Sequence, residues 1–403
     1  MTREIPDAER RARLGRRHAL AAPVATAEEA ARAVVALHGT DPAATALAAW
    51  ARTDAPTVAD DLRRALDVDR SLVRILTLRR TLFAVPTDEA PAFLAATATS
   101  VAAVQRRRTH ALLVEGGVTN EPEAWLARAD AVGLAFVAGA SEPFTTKDLA
   151  AADPLLAARM RFTRGTDTAE QGVASRLLTL WSCEGTVVRA SVVGGWTSSQ
   201  VRWSAPHAWL GRDIAPGVVG TTTAAGSLHV ARRYVERYGP VTPDDLQWWT
   251  GWTRTHTRAT LAALAEAGAT VPVTTAAGDA VVSADDAGPV AAPPPWVALL
   301  PALDPTTMGW RHRDFHLGAH GPRLFDRNGN AGPTVWADGR VVGGWAVRED
   351  GTVGVELLEE VDAATAARLE ERRTELERVL AGTVVKPRAR GWTPTEHRIR
   401  ATS

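Results

Sequence analysis

A single cysteine, Cys183, is the whole thiol complement of the chain, so an intrachain disulfide and any cysteine-rich zinc or iron–sulfur site are excluded. Lys147 and Lys386 are the only lysines among 46 basic residues, which leaves few amines for Schiff-base chemistry. No run of 18 uncharged apolar residues occurs, and Met1 to Arg17 carries arginine and glutamate where a signal sequence would be apolar. No membrane partner is expected, and the cytoplasm is the expected location. Net charge is absent too, since 46 basic residues balance 46 acidic ones. The whole-molecule field therefore announces no polyanionic partner, and any nucleic-acid surface must be a local patch.

What is present is a chain of 403 residues, 45% hydrophobic, long enough to bury several cores. Three loose internal repeats predict tandem winged-helix units. In the clearest, His229 to Tyr238 reads as a helix stopped by Gly239-Pro240, and Thr242-Pro243-Asp244-Asp245 supplies an N-cap, a first-turn proline and acids for the next. A third helix, Arg254 to Ala267, presents Leu261 and Leu264 on one face and Arg254, Thr255 and Arg258 on the other. Thr270 to Thr275 and Ala280 to Ser283 complete it as a β-hairpin wing. A second copy runs from Ala124 to Trp203, with Thr145 and Thr168-x-x-Gln171 opening helices and Gly194-Gly195 turning a longer wing. A third fits residues 18–100, where a helix opened by Thr26-x-x-Glu29 is expected to run to Gly39 and Asp41-Pro42 starts another. Arg74 to Pro86 looks extended.

Beyond Ala287 the turns Asn328-Gly329, Asp338-Gly339 and Asp350-Gly351 punctuate a β-meander, followed by a helix from Ala363 to Leu380. The tail, with Lys386, Arg388, Arg390, Arg398 and Arg400, reads as either a strand closing the sheet or a basic arm. The expected fold class is α+β: three tandem winged-helix units (1–100, 101–225, 226–288) and a C-terminal antiparallel, barrel-like β domain (289–403).

The segments Leu37 to Pro42, Arg74 to Phe83, Tyr238 to Leu246, Leu299 to Pro305 and Leu324 to Trp336, in that order, resemble the bacterial AlkZ/YcaQ-like winged-helix DNA glycosylases. The resemblance implies double-stranded DNA containing alkylated purines as partner, and removal of bulky alkylpurines or unhooking of interstrand crosslinks as activity. It implies a role in base excision repair or in self-resistance to a DNA-alkylating natural product. A nucleoid-associated monomer without cofactor or metal is expected, and the scarcity of lysine disfavours a built-in lyase step, making the enzyme monofunctional. The family's short motif of Gln, an apolar residue, then Gln or Asp falls here on His38 and Thr40, and a His-first form also occurs among its members.

His38, Thr40 and Asp41 are accordingly the candidate catalytic residues. An N7-alkylated purine is already a cationic leaving group, so the site must stabilise an oxocarbenium-like sugar and position water. Asp41 or Thr40 would hold or activate that water, and neutral His38 would orient it or accept its proton. The same residues are also ordinary helix punctuation. Arg74, Arg79, Arg80 and Thr81 are candidate DNA contacts, holding phosphates or entering a minor groove, or else a solvated strand with ion pairs. Arg254, Thr255 and Arg258 open the helix that would enter a major groove, unless it packs against a neighbouring unit. Arg10-Arg11 and Arg106 to Arg108 read as solvated faces. His312, Asp314, His316 and His320 suggest a metal site, but Gly309, Gly318 and Gly321-Pro322 interrupt the helix it would require. The competing functional reading is a non-catalytic winged-helix DNA-binding protein or transcriptional regulator.

Overall fold

The computed structural model describes residues 2–402 except 55, 58, 165, 166, 388 and 389. The chain forms two compact units interleaved in sequence: Met1–Ala65 with Ala84–Pro86 and Ala231–Ser403, and Leu66–Phe83 with Thr87–Val230. The four consecutive segments expected from sequence therefore do not coincide with them.

In the first unit the order helix, turn, helix, hairpin is present near the expected places. Helix Thr223–Tyr238 ends in this unit, and Pro243–Thr250 and Arg254–Glu266 follow it. Thr242 accepts from the Asp245 N–H at 3.1 Å while the Asp245 carboxylate accepts from the Thr242 N–H, a reciprocal cap. Strands Thr270–Thr275 and Gly278–Ser283 pair antiparallel, and Arg3–Glu4 adds a parallel third strand. Arg10 and Arg11 depart from the expected solvated face. Arg10 is buried with its guanidinium 3.7 Å from the centre of the Phe315 ring, and Arg11 donates to the Phe315 carbonyl at 2.8 Å.

The C-terminal meander is an open four-stranded antiparallel sheet, Val297–Leu300, Thr334–Ala337, Arg340–Val347 and Val353–Leu357. Its outer strands do not pair with each other, so it does not close into the expected barrel. Helix Ala363–Leu380 packs against the first strand. The tail is neither strand nor free arm: Thr393 caps a helix, Pro394–Ala401, that packs on strand Arg340–Val347. Its arginines serve the fold. Arg390 makes a bidentate, buried pair with Glu396, Arg398 pairs with Glu356, and Arg400 with Glu349. Arg388 lies outside the described residues.

In the second unit, helices Pro122–Gly139 and Val173–Glu184 enclose a core around Trp125, Leu126, Leu177 and Trp181. Thr145 caps Thr146–Ala151 as expected, but Thr168 and Gln171 open no helix. They lie in strand Asp167–Gly172, paired with Arg159–Arg164, and the following helix starts after Gly172 without a side-chain cap. Gly194-Gly195 likewise makes no two-residue turn, because Val192 pairs with Val201 and leaves a longer loop. Arg106 joins Asp130 at 2.8 Å and Glu184 at 2.8 Å, and Asp130 also accepts from the Trp181 indole at 2.8 Å. Gly133 permits this packing, since a Cβ there would lie 2.2 Å from Trp181. Gly133→Ala is expected to cost about 1–3 kcal/mol through overpacking, read as a lower urea midpoint.

Candidate active site and nucleic-acid interface

The segment carrying His38 folds differently from the sequence expectation. Helix Ala27–Ala33 starts at the predicted Thr26/Glu29 capping box but stops well before Gly39. Val35 takes a positive φ of 68°, which breaks the helix, and Leu37–His38 is a short strand. The imidazole therefore does not sit on helix-end carbonyls.

What holds the turn is its connection to the next helix, Pro42–Trp50. Asp41 is its N-cap: Oδ1 accepts from the N–H groups of Ala43 at 3.1 Å and Ala44 at 3.4 Å. Thr45 donates its hydroxyl to the His38 carbonyl at 2.7 Å and reaches the Asp41 carbonyl at 2.8 Å. One buried threonine thus ties together both ends of the four-residue turn. The Asp41 side chain is buried, the His38 ring half-buried and Thr40 exposed. Thr45 was missed by sequence reasoning. The signal available was its spacing, four residues after a helix cap, where a threonine hydroxyl returns to the preceding carbonyls.

Asp41 also lines a narrow crevice with Trp345, Lys386, Arg390, Trp392 and Glu396. The candidate turn is therefore walled partly by the C-terminal tail of the same unit.

Also in this unit, Thr253 caps helix Arg254–Glu266, with Thr257, Thr260, Leu261 and Leu264 buried and Arg254, Thr255 and Arg258 exposed. Among the described residues neither Arg254 nor Arg258 has a carboxylate within ion-pair distance. Both line an open cleft of about 370 Å³ with Gln247, His312, Asp244 and Asp279.

Arg74, Arg79, Arg80 and Thr81 belong to the second unit. Strand Leu72–Thr77 turns through Leu78–Arg80 into strand Thr81–Pro86. Arg74 is not a surface phosphate contact. It is buried, donates to the Ala190 carbonyl at 2.8 Å and lies opposite Arg189 in the sheet. Burial lowers its pKa, and burial followed by repulsion from Arg74 lowers that of Arg189 to about 10. Arg80 is exposed and Arg79 half-buried.

The histidines near residue 316 do not converge. His316 is buried against Trp310, Phe315 and Trp336, His320 pairs with Glu359 at 3.3 Å, and the His312 N–H donates to Asp245. No group of three potential metal ligands occurs among the described residues. Nor, among them, is any helix long and apolar enough to cross a membrane.

Comparison with known proteins adds to this geometry. The family model described as "DNA glycosylase AlkZ-like" matches residues 31–381, most of the chain and all of the turn just described. The chain belongs to the AlkZ-like DNA glycosylase family. Among solved structures, Streptomyces sahachiroi DNA glycosylase AlkZ superposes with a TM-score of 0.71 at 17% identity, covering 96% of this chain and 99% of that one. At that identity the likeness speaks for the fold. No curated protein sequence matches. Membership of the AlkZ-like family makes DNA the substrate and N-glycosidic hydrolysis the reaction class, and it assigns no roles to individual residues here.

Proposed function

We propose that the chain is a monofunctional DNA glycosylase, acting as a monomer, that hydrolyses the N-glycosidic bond of bulky N7-alkylated purines in duplex DNA, crosslinked purines included. Its biological setting would be base excision repair or self-resistance to a DNA-alkylating natural product. Three winged-helix units would carry the duplex, with Arg254, Thr255 and Arg258 and the tip arginines Arg79 and Arg80 among the contacts.

The observation that carries this reading is the pinned turn from His38 to Asp41. Thr45 and the helix cap fix its backbone, while the imidazole stays half-buried and the Thr40 hydroxyl exposed. The alkylated purine leaves as a neutral base, so the chemistry needed is a held water and an environment that tolerates a cationic sugar. Thr40 would hold the water and neutral His38 would orient it and take its proton. Asp41, with Oδ1 engaged by two backbone N–H groups, would act as a positioning residue.

The test uses duplex DNA carrying a single N7-alkylguanine, followed by mild alkali to reveal abasic sites as strand breaks. The native protein is expected to give breaks at the adduct. His38→Ala is expected to slow them by about 100-fold or more at unchanged melting temperature, and Thr40→Ala to slow them as well. Tight binding of undamaged duplex with every alkylated substrate left intact would instead establish the non-catalytic DNA-binding reading.

A further inference from the structure

We infer that the hairpin turn Leu78–Thr81 is a strained DNA-backbone probe, in which Arg80, supported by Arg79, engages the phosphodiesters of duplex DNA. This rests on the proposal that duplex DNA is the substrate and adds to it a way of gripping the backbone.

The turn is a two-residue hairpin connection closed by the Thr81 N–H donating to the Leu78 carbonyl. Its two central residues, Arg79 and Arg80, take φ values of 53° and 60°. Connections of this mirror-image kind match the twist of the strands they join and select Asn-Gly, because a β-carbon crowds the following carbonyl in the left-handed region. Arginine at both positions is among the poorer choices that local physics allows. Strain of this sort persists only where the surroundings enforce it, and an observed outlier is a reason to ask what it serves.

The surroundings do enforce it. Thr77 and Leu78 are fully buried, and the Thr77 hydroxyl donates to the Phe93 carbonyl at 3.0 Å and lies 3.1 Å from the Thr97 hydroxyl. The base of the turn is clamped while Arg80 at its tip is exposed. Among the described residues no carboxylate lies within ion-pair distance of Arg80. The charges that act on one another nearby include more cations: the Arg176 guanidinium feels both Arg108 and Arg80. Arg176 is itself fixed, donating to the Thr109 hydroxyl at 2.9 Å and to the Gln105 carbonyl at 2.8 Å. A clamped tip bearing an exposed guanidinium, Arg80, with no carboxylate partner among the described residues is a cation held at one position, suited to bidentate phosphate binding. For fold stability alone Asn-Gly would serve better, so the exposed Arg80 acts on something outside the turn.

The test replaces the pair in the full chain, as Arg79→Asn with Arg80→Gly. Because the new residues are those the turn prefers, the variant is expected to melt a few degrees higher than the native protein. Its affinity for a short undamaged duplex, followed by fluorescence anisotropy, is expected to fall by about 10-fold or more. The dependence of log affinity on log salt is expected to become shallower by about one for each phosphate the variant no longer neutralises. Arg80→Lys should retain part of the affinity and most of the salt slope. Unchanged affinity and slope in the double variant would overturn the proposal, and so would an unchanged melting temperature, which would remove the strain. Single-stranded DNA of the same sequence separates general phosphate attraction from duplex recognition, since equal reductions on both would sink the duplex claim. Base release by the native protein is measured alongside. If it occurs while the variant binds normally, the probe fails alone; if it never occurs while the variant binds poorly, the glycosylase reading fails and the probe stands.

Discussion

Asp304→Ala is expected to destabilise the first unit by about 3–5 kcal/mol, read as a large fall in its urea midpoint with little change in slope. Arg52 and Asp304 are both completely buried and joined by two hydrogen bonds, Nη2 to Oδ1 at 2.7 Å and Nη1 to Oδ2 at 2.9 Å. The remaining polar atoms are largely satisfied: Arg52 also donates to the Ala48 carbonyl and the Thr306 hydroxyl, and Asp304 Oδ1 accepts the Thr306 N–H. Removing the carboxylate leaves a guanidinium in the interior with no countercharge in this pair, and the desolvation of that cation sets the size of the destabilisation. Arg52→Met combined with Asp304→Leu removes both charges. It is expected to recover most of the stability, because the attraction of a buried pair barely exceeds the cost of burying it. If the double variant is no more stable than Asp304→Ala, the effect comes from packing and not from an orphaned charge.

The second large effect is a fall in stability in acid. His18 and His316 are both buried, and desolvation, reinforced by nearby arginines, holds each pKa well below 6.5. For His18 the hydrogen bonds assign the neutral tautomer: Nε2–H donates to the Arg237 carbonyl at 3.1 Å, while Nδ1 accepts from the Thr306 hydroxyl at 2.8 Å. That hydroxyl in turn accepts from Arg52, so its proton is directed to the imidazole. For His316 neither ring nitrogen has a hydrogen-bond partner among the described residues, and Arg313, Arg10 and Arg11 oppose its charge. A histidine whose folded-state pKa is depressed leaves stability intact above its unfolded pKa of about 6.5. As pH falls below that value the unfolded chain takes up the proton first, and each such histidine costs about 1.4 kcal/mol per pH unit until the folded pKa is reached. Urea midpoints measured downward from pH 7 should therefore fall steeply. His316→Phe, which keeps the aromatic packing, should remove one histidine's share of that slope. A variant whose slope equals that of the native protein would show that His316 is already charged, or solvated, in the folded state.

Both effects arise from residues whose importance local sequence does not announce. Arg52 and Arg80 are the same residue type and each is followed by a threonine, yet one is sealed inside an ion pair and the other is exposed at a hairpin tip. Arg10 and Arg74 mislead for the same reason. A guanidinium can cover an aromatic ring or reach a strand carbonyl when a partner from distant sequence arrives, here Phe315 and Ala190. Arg254 and Arg258 are legible because they follow a capped helix start whose buried face, Thr257, Leu261 and Leu264, is written in the helical period. The His38 turn is partly legible. The Asp41-Pro42 helix start stands where expected, whereas the strand at Leu37–His38 depends on a helix break at Val35 that no glycine or proline marks.

By itself the sequence determined where helices begin and several turns fall. Thr26, Thr145 and Thr242 each cap a helix because the atoms satisfying its first N–H groups lie within three residues, and Gly329, Gly339 and Gly351 adopt positive φ where Asn-Gly and Asp-Gly pairs predicted turns. These are local transactions between neighbours. Tertiary structure alone decided that the C-terminal sheet stays open, and which arginines of a chain almost without lysine are buried and which stay exposed. The physical reason is that burial of charges such as Arg52 and Arg10 is settled by partners far along the chain, Asp304 and Phe315, which only packing brings into contact.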